Sequence, residues 1–298
     1  MQSDEGYVDE LYRLLLRRPP EPDAAADAVG RLERGLVSRA TLAHEIVTSP
    51  ECARLRALDD AVATAFHARL TNERPRNLTA PPGNDERPIE IAWTLARYRA
   101  EARVLDVGYV NAEPAYKEAL VAAAPWNPKG IDLAEGEVPG FDGLVGDLRA
   151  MPFGTGSFDV VFCISTLEHV GKDNSVYGAG HERDPEGIPQ ALGELRRVLG
   201  RRGRLLLSVP AGADEDHEWF VQRRPEAWRE LFARAGLDVF EHELYELSDD
   251  GWRSVERVSE DLGYGERGPG ASAVLCAELR PRRFRPRVPA ALRLGRAG

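Results

Sequence analysis

Three aspartates each close a short apolar run: Asp106 in VLDVG, Asp132 in GIDL and Asp147 in VGDL. Such runs read as buried strands, and in an open α/β sheet ligands bind beyond the carboxyl ends of the strands. A carboxylate there accepts hydrogen bonds from ligand hydroxyls or amines. An acid after the second strand, about 20 residues past the first loop, is where such folds hold a ribose. Asp132 takes that place, and Asp147 then receives the exocyclic amine of an adenine. Gly108 lets a ligand approach the backbone closely. A fourth run, DVVFCIS, ends at Ser165 and leads into Glu168 and His169, and a fifth ends at Pro210 before the loop AGADEDHEWF.

Two histidines suit proton removal, because imidazole titrates near neutrality. His169 follows the fourth strand at a short offset. His217 lies in the loop after the fifth, with Trp219 and Phe220 beside it as an apolar or sugar-stacking wall. Structural roles compete with both: His169 packing a turn, His217 in a solvated acidic loop. A long polar stretch, GKDNSVYGAGHERDPEG, carries Tyr177 and His181, and its length suits an acceptor lid better than a plain connection. His44, His67 and His242 read as structural. Asp214, Asp216, His217 and Glu218 are hard enough donors for magnesium. Adjacent acids on a loop are more often only solvated, so Mg2+ is not favoured and no metal residue is assigned.

These groups need a frame. Strand patterns fall at 103–108, 129–133, 143–147, 158–165, 203–210, 237–247 and 271–279, with helices at 89–100, 113–124, 185–199 and 224–235. Alternating strands and helices predict a parallel sheet covered on both faces. The last two strands, with no clear helix between them, predict an antiparallel hairpin at the sheet edge. Residues 1–70 show helical periodicity instead: Tyr7, Leu11, Leu14 and Leu15, then Ala25, Val29 and Leu32, then Leu42, Ile46 and Val47 behind Ser38 as N-cap, then 55–70. The polar, proline-rich segment 71–88 reads as a linker. The expected fold is α/β: a Rossmann-like, seven-stranded, mostly parallel sheet with helices on both faces over 89–280, preceded by a small all-α N-terminal domain and followed by a basic tail, 281–298.

The 298 residues carry a formal charge of −10, which argues against a nucleic-acid partner, since phosphate contacts need clustered Lys and Arg. The Arg-rich tail is the one local exception, read as a loosely ordered terminus. No apolar run is long enough for a membrane span, and MQSDEGYVDE does not read as a secretory signal. Three scattered cysteines without CxxC spacing exclude a disulfide framework and fit a reducing cytoplasm. A GxSxG elbow and a full GxGxxG are both missing, which weakens hydrolase and nicotinamide-dehydrogenase readings. A homodimer is allowed.

VLDVG, GIDL, GDLRAMPF, GSFDVVFCISTLEHVG and ELRRVLGRRGRLLLSVP resemble, in that order, the motifs of class I S-adenosylmethionine (SAM)-dependent methyltransferases, nearest the small-molecule branch called type 11. The resemblance covers about 90–280. It implies that Asp106, Gly108 and Tyr109 lie near the methionine part of SAM, and that Asp132 and Leu133 hold the ribose. It further implies that Asp147 and Leu148 frame the adenine, and that Ser165 lies where the fourth strand meets the cofactor. S-adenosylhomocysteine (SAH) is the implied product. The departure is at Val110 and Ala112, where the family pattern has glycine. SAM carries no phosphate to cradle, so a bulkier loop is tolerated. The segment YVDELYRLLLRRPPEPDAAADAVGRLERG with TSPE is similar to the helical DUF4214 module, which accompanies glycan-related proteins. Together these predict O-methylation of a sugar, glycan or other small-molecule acceptor, with His169 or His217 assisting deprotonation and Tyr177, His181, Trp219 and Phe220 lining the acceptor site. The alternatives are a catalytically inactive binding protein on the same fold, motivated by Val110 and Ala112, and a chain whose N-terminal module is its main functional part, an interaction or targeting device in a glycan-assembly complex.

Overall fold

The computed structural model describes residues 2–177, 180 and 183–282. His181 and residues 283–298, nearly all of the basic tail, lie outside them. Four helices come first: α1 (Asp4–Leu16), α2 (Pro22–Glu33), α3 (Arg39–Val47) and α4 (Pro50–Leu70). Ser3, Ser38 and Ser49 cap α1, α3 and α4, each accepting a hydrogen bond from a first-turn amide. Proline opens α2 and α4, where a missing N–H costs nothing. Val8, Leu16, Ala28, Leu42, Ile46 and Cys52 form a small core of their own.

The long helix α4 joins this core to the next. Its first turn supplies Cys52 to the small core. Its later residues Leu58, Ala61, Ala65 and Ala68 pack in a second core with Ile89, Trp93 and Ala96 of α5 (Arg87–Arg97). Small side chains let α4 approach closely, and α5 is buried along nearly its whole length. The segment read as a linker is tied down. Arg74 pairs with Glu241 and Glu278, Ala80 bridges to Trp252, and Trp252 Nε1–H donates to Asn84 O (3.1 Å).

The sheet contains β1 (Val104–Val107), β2 (Lys129–Asp132), β3 (Asp142–Val145), β4 (Phe158–Ile164), β5 (Leu199–Pro210), β8 (Leu237–Ser248), β9 (Gly251–Val255) and β10 (Ala273–Pro281). A separate two-stranded ribbon pairs β6 (Glu215–Asp216) with β7 (Val221–Gln222). The helices α6 (Pro114–Ala123), α7 (Gly187–Val198) and α8 (Pro225–Arg234) complete the α/β part. Strand order is β3-β2-β1-β4-β5-β10-β8-β9, with β1 to β5 mutually parallel. The fold is the expected Rossmann-like α/β architecture. One apolar core, containing Leu192 and Leu195 of α7 and Trp228 and Phe232 of α8, covers one face, and the α4–α5–α6 core covers the other.

Two details differ from expectation. The sheet has eight strands, because the short GWRSV segment turns back as β9 at Gly251, whose φ of +104° only glycine adopts easily. And β10 pairs antiparallel with β8 as expected, but not at the edge. It inserts antiparallel between β5 and β8, leaving β8–β9 as the edge hairpin. Periodicity identifies a strand but not its neighbours. The three cysteines are buried and free. Among the described residues no helix is long and apolar enough to cross a membrane.

Candidate functional site

Connections leave β1 and β4 in opposite directions across the sheet, so a crevice opens at their carboxyl ends. A cavity of about 490 Å³ occupies it. Asp106, Gly108, Asp132, Leu133, Asp147, Leu148, Ser165, His169 and Tyr177, drawn from five separate stretches of chain, all line it.

The loop after β1 is held by a side chain. Val110 N–H donates to Asp132 Oδ2 (2.9 Å), and Ala134 N–H donates to Oδ1 of the same carboxylate (3.0 Å). Lys117 Nζ donates to Val110 O (2.8 Å). The valine in place of glycine therefore still delivers its backbone N–H to the acid after β2. Gly108 has φ +77°, and a Cβ there would lie 2.5 Å from Thr166 Oγ1. Gly108→Ala is expected to lower stability by at least about 2 kcal/mol, combining left-handed strain with overpacking. An unchanged urea midpoint would show that the loop yields. Tyr109, expected beside the cofactor, turns its ring away from the cavity. It is buried, stacks on Phe141 (5.1 Å between centroids) and lies against Gly130 and Gly143 of β2 and β3, which have no side chain to obstruct it.

Asp106 is buried, and its Oδ2 has no hydrogen-bond partner. Burial pushes its carboxyl up to about 8, with Asp132 nearby adding to the rise. The Tyr116 hydroxyl, on the same cavity wall, lies close enough to this carboxyl to work against the rise. Asp147 lines the cavity as expected but is already engaged by a neighbour in the chain. Arg149 donates to it from Nε and Nη2 (3.0 and 2.6 Å) and from its backbone N–H (2.7 Å). Burial works upward on Asp147, but these bonds outweigh it and hold the carboxyl below the usual range. Arg149 also pairs with Asp184 (2.9 Å), tying the insert after β4 to this wall.

Ser165 sits at φ +40°, a conformation an L residue adopts only when its surroundings impose it. Its Oγ donates to Glu90 Oε1 (2.6 Å), and Arg87 pairs with Glu90 Oε2 (2.8 Å). Burial opposes the charge of Arg87, but Glu90, Glu86 and Asp85 around it more than restore it. His169 is held by Trp219 O, 2.8 Å from Nδ1, so Nδ1 carries the proton and Nε2 keeps its lone pair. Burial lowers this imidazole to about 4, so it is neutral at physiological pH. Its ring stacks on Trp219 (5.2 Å) and meets the edge of Tyr177 (5.4 Å).

Trp219 and Phe220 do not line the large cavity. They line an adjoining recess that shares Arg87, Ser165, His169 and Tyr177 with it. His217, the second base candidate, lines neither. It stacks on Phe220 (4.3 Å) with Nε2 against Glu215 (2.8 Å), on the far side of the aromatic wall. Asp214 is paired with Arg224, and Asp216 with Lys172. Among the described residues no group of three His, Cys, Asp or Glu side chains gathers for a metal.

The sequence reading missed Arg87, Glu90, Arg149 and Thr166. A charged residue within the almost uniformly buried α5 was the available signal for Glu90. Arg149 stands two residues after Asp147, but spacing alone does not show that its side chain folds back onto that carboxylate and on to Asp184.

Residues 105–207 match a family model described as a methyltransferase domain. No curated protein matches. Similar solved structures include the 1,6-didemethyltoxoflavin-N1-methyltransferase of Burkholderia thailandensis, bound to 1,6-didemethyltoxoflavin and SAH. It is 15% identical with TM-score 0.45, covering 92% of this chain and 91% of that one. The CcbJ methyltransferase of Streptomyces caelestis is 14% identical with TM-score 0.43, covering 68% and 92%. The [4+2]-cyclase SpnF is 13% identical with TM-score 0.47, covering 78% and 97%.

Proposed function

We propose that the chain is a SAM-dependent methyltransferase acting on an oxygen of a small-molecule or saccharide acceptor. The observation that carries the reading is the convergence on one cavity of Asp106, Gly108, Asp132, Leu148 and Ser165, all at strand ends, within the segment that matches a methyltransferase domain. The residues fit the cofactor. Asp106 Oδ2, buried at the cavity wall, suits the ammonium of its methionine part, Gly108 leaves the space a Cβ would fill, and Asp132 faces the ribose position. Leu148 offers an apolar face to the adenine, with Asp147 beside it.

SAM, when bound, supplies an electrophilic methyl group on a sulfonium. The chain's own part is alignment, which can contribute roughly 7–11 kcal/mol, against roughly 3–5 kcal/mol for a general base. His169 lines the cavity, and Trp219 O, by accepting from Nδ1, fixes its ring and leaves Nε2 as the acceptor nitrogen. It accepts the acceptor's hydroxyl proton in a hydrogen bond. With its basicity lowered by burial, it orients the hydroxyl more than it removes the proton in advance. Trp219 and Tyr177, ring-packed on His169, and the DUF4214-like N-terminal helices support a saccharide acceptor.

The test is calorimetric titration of the full chain with SAM and SAH. Micromolar binding of either is expected. Failure of the folded chain to bind both would favour the second reading, a non-catalytic binding protein. One observation favours that reading: Arg149 already occupies the Asp147 carboxylate where the adenine amine was expected.

A further inference from the structure

Behind His169, the recess of about 40 Å³ has an unusual lining. Glu86 and Glu168 face it together with Trp219, Phe220 and Tyr264. Glu168 is 3% exposed and its Oε2 has no partner. Glu86 receives one hydrogen bond, from Ala271 N–H (3.0 Å). Among the described residues the one cation lining the recess, Arg87, is already paired with Glu90. Three buried carboxyls therefore share a single guanidinium, and only Glu90 is ion-paired with it. A buried carboxyl without a partner is costly, and it is retained where a ligand completes it.

We propose that this recess binds a small alkylammonium group carried by the acceptor, an inference that rests on the methyltransferase reading of the adjoining cavity. Carboxyls beside aromatic rings are the combination that recognises an ammonium: burial favours the protonated acids while the recess is empty, the ammonium's charge favours their ionised form, and the rings supply their negative faces. Size agrees, since one water needs about 10–15 Å³ and the recess has room for a group the size of methylammonium. Position agrees as well. Ser165, His169 and Tyr177 belong to both cavities, so an acceptor anchored by its ammonium in the recess extends past His169 toward the cofactor side. The acceptor class is therefore an amine-bearing small molecule or amino sugar. The ammonium is the anchor, and a neighbouring hydroxyl is the group methylated.

The probes are methylammonium and its neutral analogue methanol, titrated into the full chain with and without SAH and followed by saturation-transfer NMR. Methylammonium is expected to bind in the millimolar range, as its few atoms allow, and methanol at least about tenfold more weakly. Glu168→Gln should weaken methylammonium at least about tenfold and leave SAH affinity within about threefold. If Glu168→Gln does not fold by circular dichroism, Trp219→Leu decides, with an expected loss of about threefold or more. Equal binding of methanol and methylammonium, no saturable binding of methylammonium, or unchanged methylammonium affinity in the folded variants would each overturn the proposal. Loss of SAH binding alone would instead overturn the reading of the large cavity.

Discussion

Asp132→Ala is expected to weaken SAM and SAH binding at least about 100-fold. The carboxylate holds two backbone amides, Val110 N–H and Ala134 N–H, that fix the loop against the cavity. Hydrogen bonds to a charged group are worth about 1.5–3 kcal/mol each, so the loop loses its tether. The same carboxylate faces the cavity, and the ribose-holding role proposed for it would add to the cost. Asp132→Asn should be intermediate, because its single amide oxygen can keep one tether. Calorimetry measures the loss, and circular dichroism of the free chain checks the fold. Near-wild-type affinity in Asp132→Ala would remove the ribose assignment.

Asp106→Asn is expected to change the pH dependence of stability. The carboxyl titrates at about 8 in the folded chain, and at about 3.9 when unfolded. Between these values the unfolded chain has lost the proton while the folded chain retains it. Folding then takes up a proton, so stability falls as pH rises from about 4 to about 8 and levels off above that. Glu86, raised to about 7 by burial, acts with the same sign over about 4 to 7. Asparagine has no proton to lose. The variant should therefore gain on the wild type between pH 5 and pH 8 by several kcal/mol, at most about 4. Urea unfolding at the two pH values measures this. A difference that stays constant with pH would mean Asp106 is ionised in the folded chain.

These expectations rest on groups of differing legibility. Asp106, Asp132, Asp147 and Ser165 were readable because each ends an apolar run, and a strand in a parallel sheet carries its last residue to the ligand edge. Ser3, Ser38 and Ser49 as helix caps follow the same local logic, and Ser38 was readable in advance. Tyr109 was misplaced because spacing along a loop does not say which way a ring turns. It turned toward Gly130 and Gly143, glycines that are distant in sequence but adjacent across β2 and β3. His169 and His217 looked alike as sequence. The structure separates them because the β6–β7 ribbon places Trp219 O against one ring and Phe220 in front of the other.

The sequence by itself determined the α/β class, the places of the central strands along the chain and the acids at their ends, because periodicity and strand-end position are local properties that folding preserves. The tertiary structure alone decided the insertion of β10 between β5 and β8, the pairing of Arg149 with Asp184, and the meeting of Glu86, the N-cap residue of α5, with Glu168 after β4. Each of these joins residues tens of positions or more apart. Their energies come from burial and charge pairing in a shared environment, and that environment exists only once the sheet and α5 have packed together.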